Sequence, residues 1–136
     1  MNWNYINGFF DADGSICLTK NHSMGQKTIQ LSFHNNDLNI LECIRIFIKN
    51  ELGINGTISI KLPKKANHNI AYDLSYLQQK AYKICDNLSC VHLLKKHKIA
   101  TCLKYYNKVT PRNGKYNKQL LIKHQAFERL FYWKCS

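Results

Sequence analysis

An α+β fold with a four-stranded antiparallel sheet is predicted by two pairs of alternating segments, helical periodicity before and after each pair, and polar or glycine-containing breaks between them. The chain opens with a helix on which Trp3, Ile6 and Phe10 form one apolar stripe and Tyr5 and Phe9 another, ending at Gly14. A helix that is apolar on two sides must be covered twice. Alternation begins after Gly14, with Ile16 and Leu18 facing one way and Cys17, Thr19 and Asn21 the other, until the polar stretch Asn21 to Gly25 breaks it. Ile29, Leu31 and Phe33 then oppose Thr28, Gln30, Ser32 and His34, which completes a hairpin.

Asn36 or Asp37 caps a second helix carrying Leu38, Leu41, Ile44, Ile48 and Leu52, and Gly53 ends it. In the second hairpin Ile58, Ile60 and Leu62 oppose Thr57, Ser59 and Lys61. After Pro63 to Asn67, Ile70, Tyr72 and Leu74 oppose Asn69, Ala71 and Asp73. Ser75 is the expected cap of a third helix with Leu77, Ala81, Ile84, Cys85 and Leu88 on one face. Two further helical stretches run around residues 95 to 107 and 119 to 133, separated by Pro111-Arg112-Asn113-Gly114. The order is αββαββα with additional C-terminal helices, and each strand has one apolar and one polar face.

The 136 residues suit a single domain over 1–136 and leave no room for two catalytic domains plus a linker. Twenty Lys and Arg against eight Asp and Glu give a formal charge of +12, the balance of a chain that meets a polyanion. Nucleic acid is the leading partner, while scattered lysines on a solvated surface are the plainer reading. A membrane partner is disfavoured because no strongly amphipathic basic helix stands out. No apolar run is long enough for a span, and Met1-Asn2-Trp3-Asn4 lacks the features of a secretory signal, so the chain is expected to be soluble and not exported. The six cysteines have neither paired spacing nor scaffold density and read as reduced thiols. Cys85, Cys90, His92 and His97 can be drawn as a zinc site, but their irregular spacing and the place of Cys85 on an apolar helix face favour burial. Lysine outnumbers arginine 17 to 3 and asparagine, isoleucine and tyrosine abound, a bias that AT-rich coding produces.

Two of the eight acidic residues lie together in Ile6-Asn7-Gly8-Phe9-Phe10-Asp11-Ala12-Asp13-Gly14. In a basic protein that only holds phosphates, carboxylates at the binding surface would repel the backbone that the lysines attract. A carboxylate that carries a divalent cation removes the conflict. Asp13 also sits near the negative end of the helix dipole, where an anion costs roughly 0.3 to 1 kcal/mol.

These nine residues resemble the LAGLIDADG motif of homing endonucleases, matching Gly8, Asp11, Ala12, Asp13 and Gly14 outright and Ile6, Phe9 and Phe10 by type, with Asn7 departing from the usual small residue. The αββαββα order is also that of the family core. The resemblance implies a site-specific endonuclease that cuts both strands of a long pseudo-palindromic site in double-stranded DNA, with Mg²⁺ as cofactor and Mn²⁺ as a substitute. Asp13 and the main-chain oxygen of Ala12 would ligate metal, with Asp11 a structural hydrogen-bonding group. Asn35 would position water, and Lys96, with Lys98 as runner-up, would stand beside the scissile phosphate. A single motif implies a homodimer with Ile6, Asn7, Gly8, Phe9 and Phe10 at the interface, where Gly8 lets a second backbone approach. The polar strand faces at Thr19, Asn21, Thr28, Gln30, Ser32, His34, Thr57, Ser59, Lys61, Asn69 and Asp73 would meet base edges. The family and the AT bias together suggest an intron-encoded protein of a mitochondrion or chloroplast. Two alternatives share the fold: a maturase that binds intron RNA, and a non-catalytic DNA-binding protein.

Overall fold

The computed structural model describes residues 1–20, 26–65, 69–111 and 115–133. Helix α1 (Trp3–Asp13) starts at Asn2, whose side chain accepts from the Tyr5 N–H, and ends as the Gly14 N–H donates to the Phe10 carbonyl. The chain passes directly into β1 (Gly14–Lys20), followed by β2 (Lys27–Asn35), α2 (Leu38–Leu52), β3 (Thr57–Lys61) and β4 (Ala71–Leu77). Helices α3 (Gln78–Cys85), α4 (Leu93–Val109) and α5 (Lys118–Phe131) complete it. The sheet is antiparallel in the order β1-β2-β4-β3, so the later strand of each hairpin lies at the centre. This is the α+β αββαββα arrangement that the periodicity predicts.

The apolar strand faces build the core. Ile29, Leu31, Phe33 and Leu74 are fully buried against Ile6 and Phe10 of α1 and Leu41, Ile44 and Ile48 of α2. Phe33 meets Phe10 on one side and Tyr76 on the other, both edge-on, a geometry that adds attraction to area burial. Asp37 caps α2 by accepting from the Asn39 N–H, and Gly53 closes it at φ +70°, a conformation glycine adopts without a Cβ penalty.

Three sequence expectations are corrected. Ser75 does not cap α3: β4 runs on through Leu77, because Tyr76 continues the buried face of Leu74, and α3 begins at Gln78 without a side-chain cap. Asn69 and Ile70 precede β4 instead of forming its start. The apolar face of the second hairpin is not covered throughout, since Ile60, Leu62 and Ile70 are 63%, 76% and 45% exposed at the far edge of the sheet.

The C-terminal segment packs on the body. Glu128 accepts from the Lys27 N–H and His124 Nε2 donates to the Lys27 carbonyl, so α5 holds both backbone groups at the start of β2. Tyr132 accepts from the Leu18 N–H on the outer edge of β1, satisfying a donor the sheet leaves open. The described cysteines are free thiols, and burial pushes Cys85 up to about 12. Cys135 and Asn21 lie outside the described residues.

Candidate nucleic-acid and metal site

The end of α1 is held by the loop before α4 and by α4 itself. Asp11 accepts from the Val91 and His92 N–H groups at 3.0 to 3.2 Å, the structural role expected of it. Asn7 accepts from the Ser89 N–H at 3.0 Å, which gives this departure from the motif a role of its own. The Lys95 ammonium donates to the Phe10 and Asp11 carbonyls, 2.8 Å each. Both carbonyls lie in the last turn, where Phe10 shares its oxygen between the Gly14 N–H and Lys95, and a cation there also opposes the negative end of the helix dipole.

Asp13, one turn past the start of this clamp, is exposed, and among the described residues none donates a hydrogen bond or forms an ion pair with it. Ala12 beside it is exposed too. An unpartnered carboxylate and a neighbouring main-chain oxygen are hard oxygen donors of the kind a divalent cation takes. No group of three or more possible His, Cys, Asp or Glu ligands forms among the described residues.

The three lysines near this end have different surroundings. Lys95 reaches the motif helix, whereas Lys96 points into solvent and Lys98 stacks its ammonium 5.5 Å from the Phe131 ring and 5.4 Å from the Tyr132 ring. Replacing Lys95 with Met is expected to cost about 1.5–3 kcal/mol in urea unfolding, the range for charge-assisted hydrogen bonds, against less than about 0.5 kcal/mol for Lys96→Met. Equal small losses would remove the clamp assignment.

Asn35 lies at the turn into α2. It pairs with Tyr72 and shares the helix-facing side of β2 with Phe33, and its side chain accepts from the Asp37 N–H at 2.8 Å, shaping the turn into α2. Its neighbour His34 faces the polar side. His34 Nε2 lies 3.0 Å from the Ser15 hydroxyl, its Nδ1 bonds Asp73 Oδ1, and Lys61 Nζ is 2.8 Å from the other Asp73 oxygen. One chain of polar side chains thus crosses all four strands, β1 to β2 to β4 to β3. Ser15 was not among the expected residues, although strand parity puts it on the face of Cys17 and Thr19.

The remaining polar-face candidates divide by exposure. Thr57, Ser59, Lys61 and Asn69 are exposed, and Thr19, Gln30 and His34 are half-buried. Thr28, Ser32 and Asp73 are corrected as base-reading groups, being only 2%, 5% and 8% exposed. Thr28 adjoins Lys27, which α5 pins; the Ser32 hydroxyl lies between Ser75 and the Gln30 amide; and Asp73 is covered by His34 and Lys61. Among the interface candidates Ile6 and Phe10 are 0% exposed in the chain's own core, and Phe9 packs on Phe33. Gly8 has open space where a Cβ would stand.

Burial pushes the Asp73 carboxyl up, but the hydrogen bonds from Lys61 and His34 more than offset it and hold it below its ordinary 3.8. Asp11 behaves alike: desolvation raises it, and the Val91 and His92 N–H groups with the Lys95 charge bring it below 3.8. A depressed folded-state value adds stability that is present above the unfolded value and lost as pH falls through the folded one. Thermal unfolding is therefore expected to be flat above about pH 5 and to fall steadily below about pH 4, with Asp11→Asn and Asp73→Asn flattening the slope. A native acid limb that neither variant changes would contradict this.

A family model described as a LAGLIDADG-like domain matches residues 2–98. A search of curated proteins finds no match. Among solved structures, the LAGLIDADG meganuclease I-AabMI bound to uncleaved DNA aligns at TM-score 0.55 and 12% identity over 100% of this chain and 47% of that one. The LAGLIDADG homing endonuclease I-GzeII in complex with its DNA target aligns at 0.53 and 19% identity over 94% and 44%. The chain spans about half the length of these structures, and at such identities the likeness establishes the fold. With the family model covering most of the chain and the motif helix, hairpins and connecting helix all in place, the chain belongs to the LAGLIDADG-like domain family.

Proposed function

We propose that this chain, one domain over 1–136, is a divalent-metal-dependent homing endonuclease that acts as a homodimer and cuts both strands of a pseudo-palindromic duplex site. The observation that carries this reading is Asp13: an exposed carboxylate without a partner among the described residues, at the end of a tightly held helix, in a chain of charge +12. Asp13 and the Ala12 carbonyl would hold Mg²⁺ or Mn²⁺, which when bound supplies positive charge to the attacked phosphate and leaving oxygen. Lys95 fixes the helix end from which both donors project. The exposed strand residues and the many lysines would hold the duplex, lysines on phosphates and Thr57, Ser59 and Lys61 toward base edges.

A second copy completes what one copy lacks. The open flank at Gly8 is bordered by Tyr5, 46% exposed, and the segment entering α4, which bonds Asn7 and Asp11, presents Val91 and Leu93 at 82% and 83% exposure. Two such helices side by side would bring two Asp13 carboxylates together at a two-fold axis. Gly8→Ala tests this: with nothing within 4 Å, it is expected to stabilise the isolated chain by about 0.5–1 kcal/mol and to weaken dimerisation. A Gly8→Ala dimer as tight as the native one would argue against helix-to-helix contact at Gly8.

The decisive experiment incubates the native chain with a pooled library of AT-rich intron-insertion duplexes under Mg²⁺, Mn²⁺ or EDTA, with light scattering on the bound DNA. Metal-dependent, discrete double-strand cuts by two chains per site are expected. Tight binding to duplex DNA or to intron RNA with no cutting under either metal would instead establish a binding or maturase role. An organellar, intron-encoded origin is proposed from the AT-type composition together with the family.

A further inference from the structure

The polar chain across the sheet fixes the direction of a hydroxyl. Asp73 is 8% exposed and its two oxygens are taken by different donors: Lys61 Nζ at 2.8 Å on Oδ2 and His34 Nδ1 on Oδ1. The carboxylate only accepts, so the His34 nitrogen facing it carries its proton. Lys61 faces the other oxygen of the same carboxylate, and in the neutral imidazole with its proton on Nδ1 the second nitrogen, Nε2, is an acceptor. The Ser15 hydroxyl, 3.0 Å away, then donates to Nε2 and turns its lone pairs outward. Ser15 is half-buried on the polar face of β1, two residues beyond Asp13, and the His34 side chain is 37% exposed, so this end of the chain opens to whatever lies on the sheet.

We propose that Ser15 reads an exocyclic amino group, adenine N6 or cytosine N4, on the near strand of bound duplex DNA, because Asp73 sets the tautomer of His34 and His34 sets the direction of the Ser15 hydroxyl. The inference rests on the DNA reading above and names a chemical preference within it. In the major groove adenine and cytosine present amino donors, whereas guanine O6 and thymine O4 are acceptors. An outward acceptor pairs with the first two and meets the others lone pair to lone pair.

The geometry provides its own reversal. In Asp73→Asn the amide oxygen must face Lys61, which can only donate, so the amide NH₂ faces His34 Nδ1 and that nitrogen becomes the acceptor. The ring proton moves to Nε2, which donates to Ser15, and the Ser15 hydroxyl proton turns outward. The preference then changes from adenine or cytosine to guanine or thymine.

The test is selection of bound duplexes from a randomised library by the full-length native chain, Ser15→Ala and Asp73→Asn, in EDTA so that nothing is cut. The native profile is expected to favour adenine or cytosine by about tenfold at one position of each half-site. Ser15→Ala should erase that preference and leave the other positions unchanged, and Asp73→Asn should invert it. A native profile that neither variant alters overturns this inference while the DNA reading stands. Loss in Asp73→Asn identical to that in Ser15→Ala overturns the tautomer mechanism. A native chain that selects no sequence removes the DNA reading, and this inference with it.

Discussion

Asp13→Asn is expected to reduce DNA cutting by at least about 10³-fold while making the folded chain slightly more stable. The amide keeps the size of the carboxylate and one oxygen but loses the charge that a hard divalent cation requires. In the proposed homodimer both copies would lose it at once. Removing one well-placed electrostatic group from a hydrolytic site typically costs 10² to 10³ in rate, and each 1.36 kcal/mol lost is tenfold. Stability moves the other way because Asp13 stands at the C-terminal end of α1, where an anion is disfavoured by roughly 0.3–1 kcal/mol, and has no donor among the described residues to offset this. Duplex binding without metal should be unchanged or tighter, since a charge facing phosphates is gone. Asp11→Asn gives the opposite signature, because Asp11 holds the Val91 and His92 N–H groups and its loss loosens the loop before α4. The pair separates a residue kept for chemistry from one kept for structure. Cutting by Asp13→Asn within about tenfold of the native rate would sink the metal-ligand assignment.

Strand alternation made most of the sheet legible. Ile29, Leu31 and Phe33 are all fully buried, as the period of two requires, and the same rule carried through Tyr76 extends β4 past Ser75. It also separates Asn35 from His34. Asn35 has the right chemical type for a water-positioning residue, but odd-numbered residues of β2 face the helices, so the polar side belongs to His34. The identity of the lysine that meets α1 was not legible for a different reason. In Lys95-Lys96-His97-Lys98 each residue turns about 100° from the last, and composition cannot say which meets α1. That choice depends on the long-range bonds from Asp11 and Asn7 to the segment before α4, which fix the helix rotation and which no local pattern encodes. Ile6 and Phe10 fail as interface residues for a simpler reason: they share the stripe that packs on the sheet, leaving the Gly8 side as the open flank.

Gly14→Ala is expected to cost about 3 kcal/mol or more, a large fraction of the 5–15 kcal/mol that holds an ordinary domain together. The backbone there has φ −93°, open to any residue, so the cost is steric. A Cβ would stand 2.2 Å from Cδ2 and 2.7 Å from Cγ of the Phe10 ring and 2.8 Å from the Phe10 Cα. The ring is poorly placed to yield, because Phe10 is fully buried and edge-on to Phe33, which in turn abuts Tyr76. Overpacking alone typically costs 1–3 kcal/mol, and here main chain is also struck, so relief requires the α1–β1 junction to open. That junction places Asp13, so loss of cutting should accompany loss of stability. The origin is tested in a double-mutant cycle: in a Phe10→Leu background, with no ring at the clashing position, Gly14→Ala should cost at least about 1 kcal/mol less than in the native chain. A native-background loss under about 1 kcal/mol in urea unfolding would show that the junction has room and that the glycine is not required by packing. Gly8, six residues earlier and inside α1, meets no such neighbour, so one motif contains a glycine required inside the chain and another whose space faces outward.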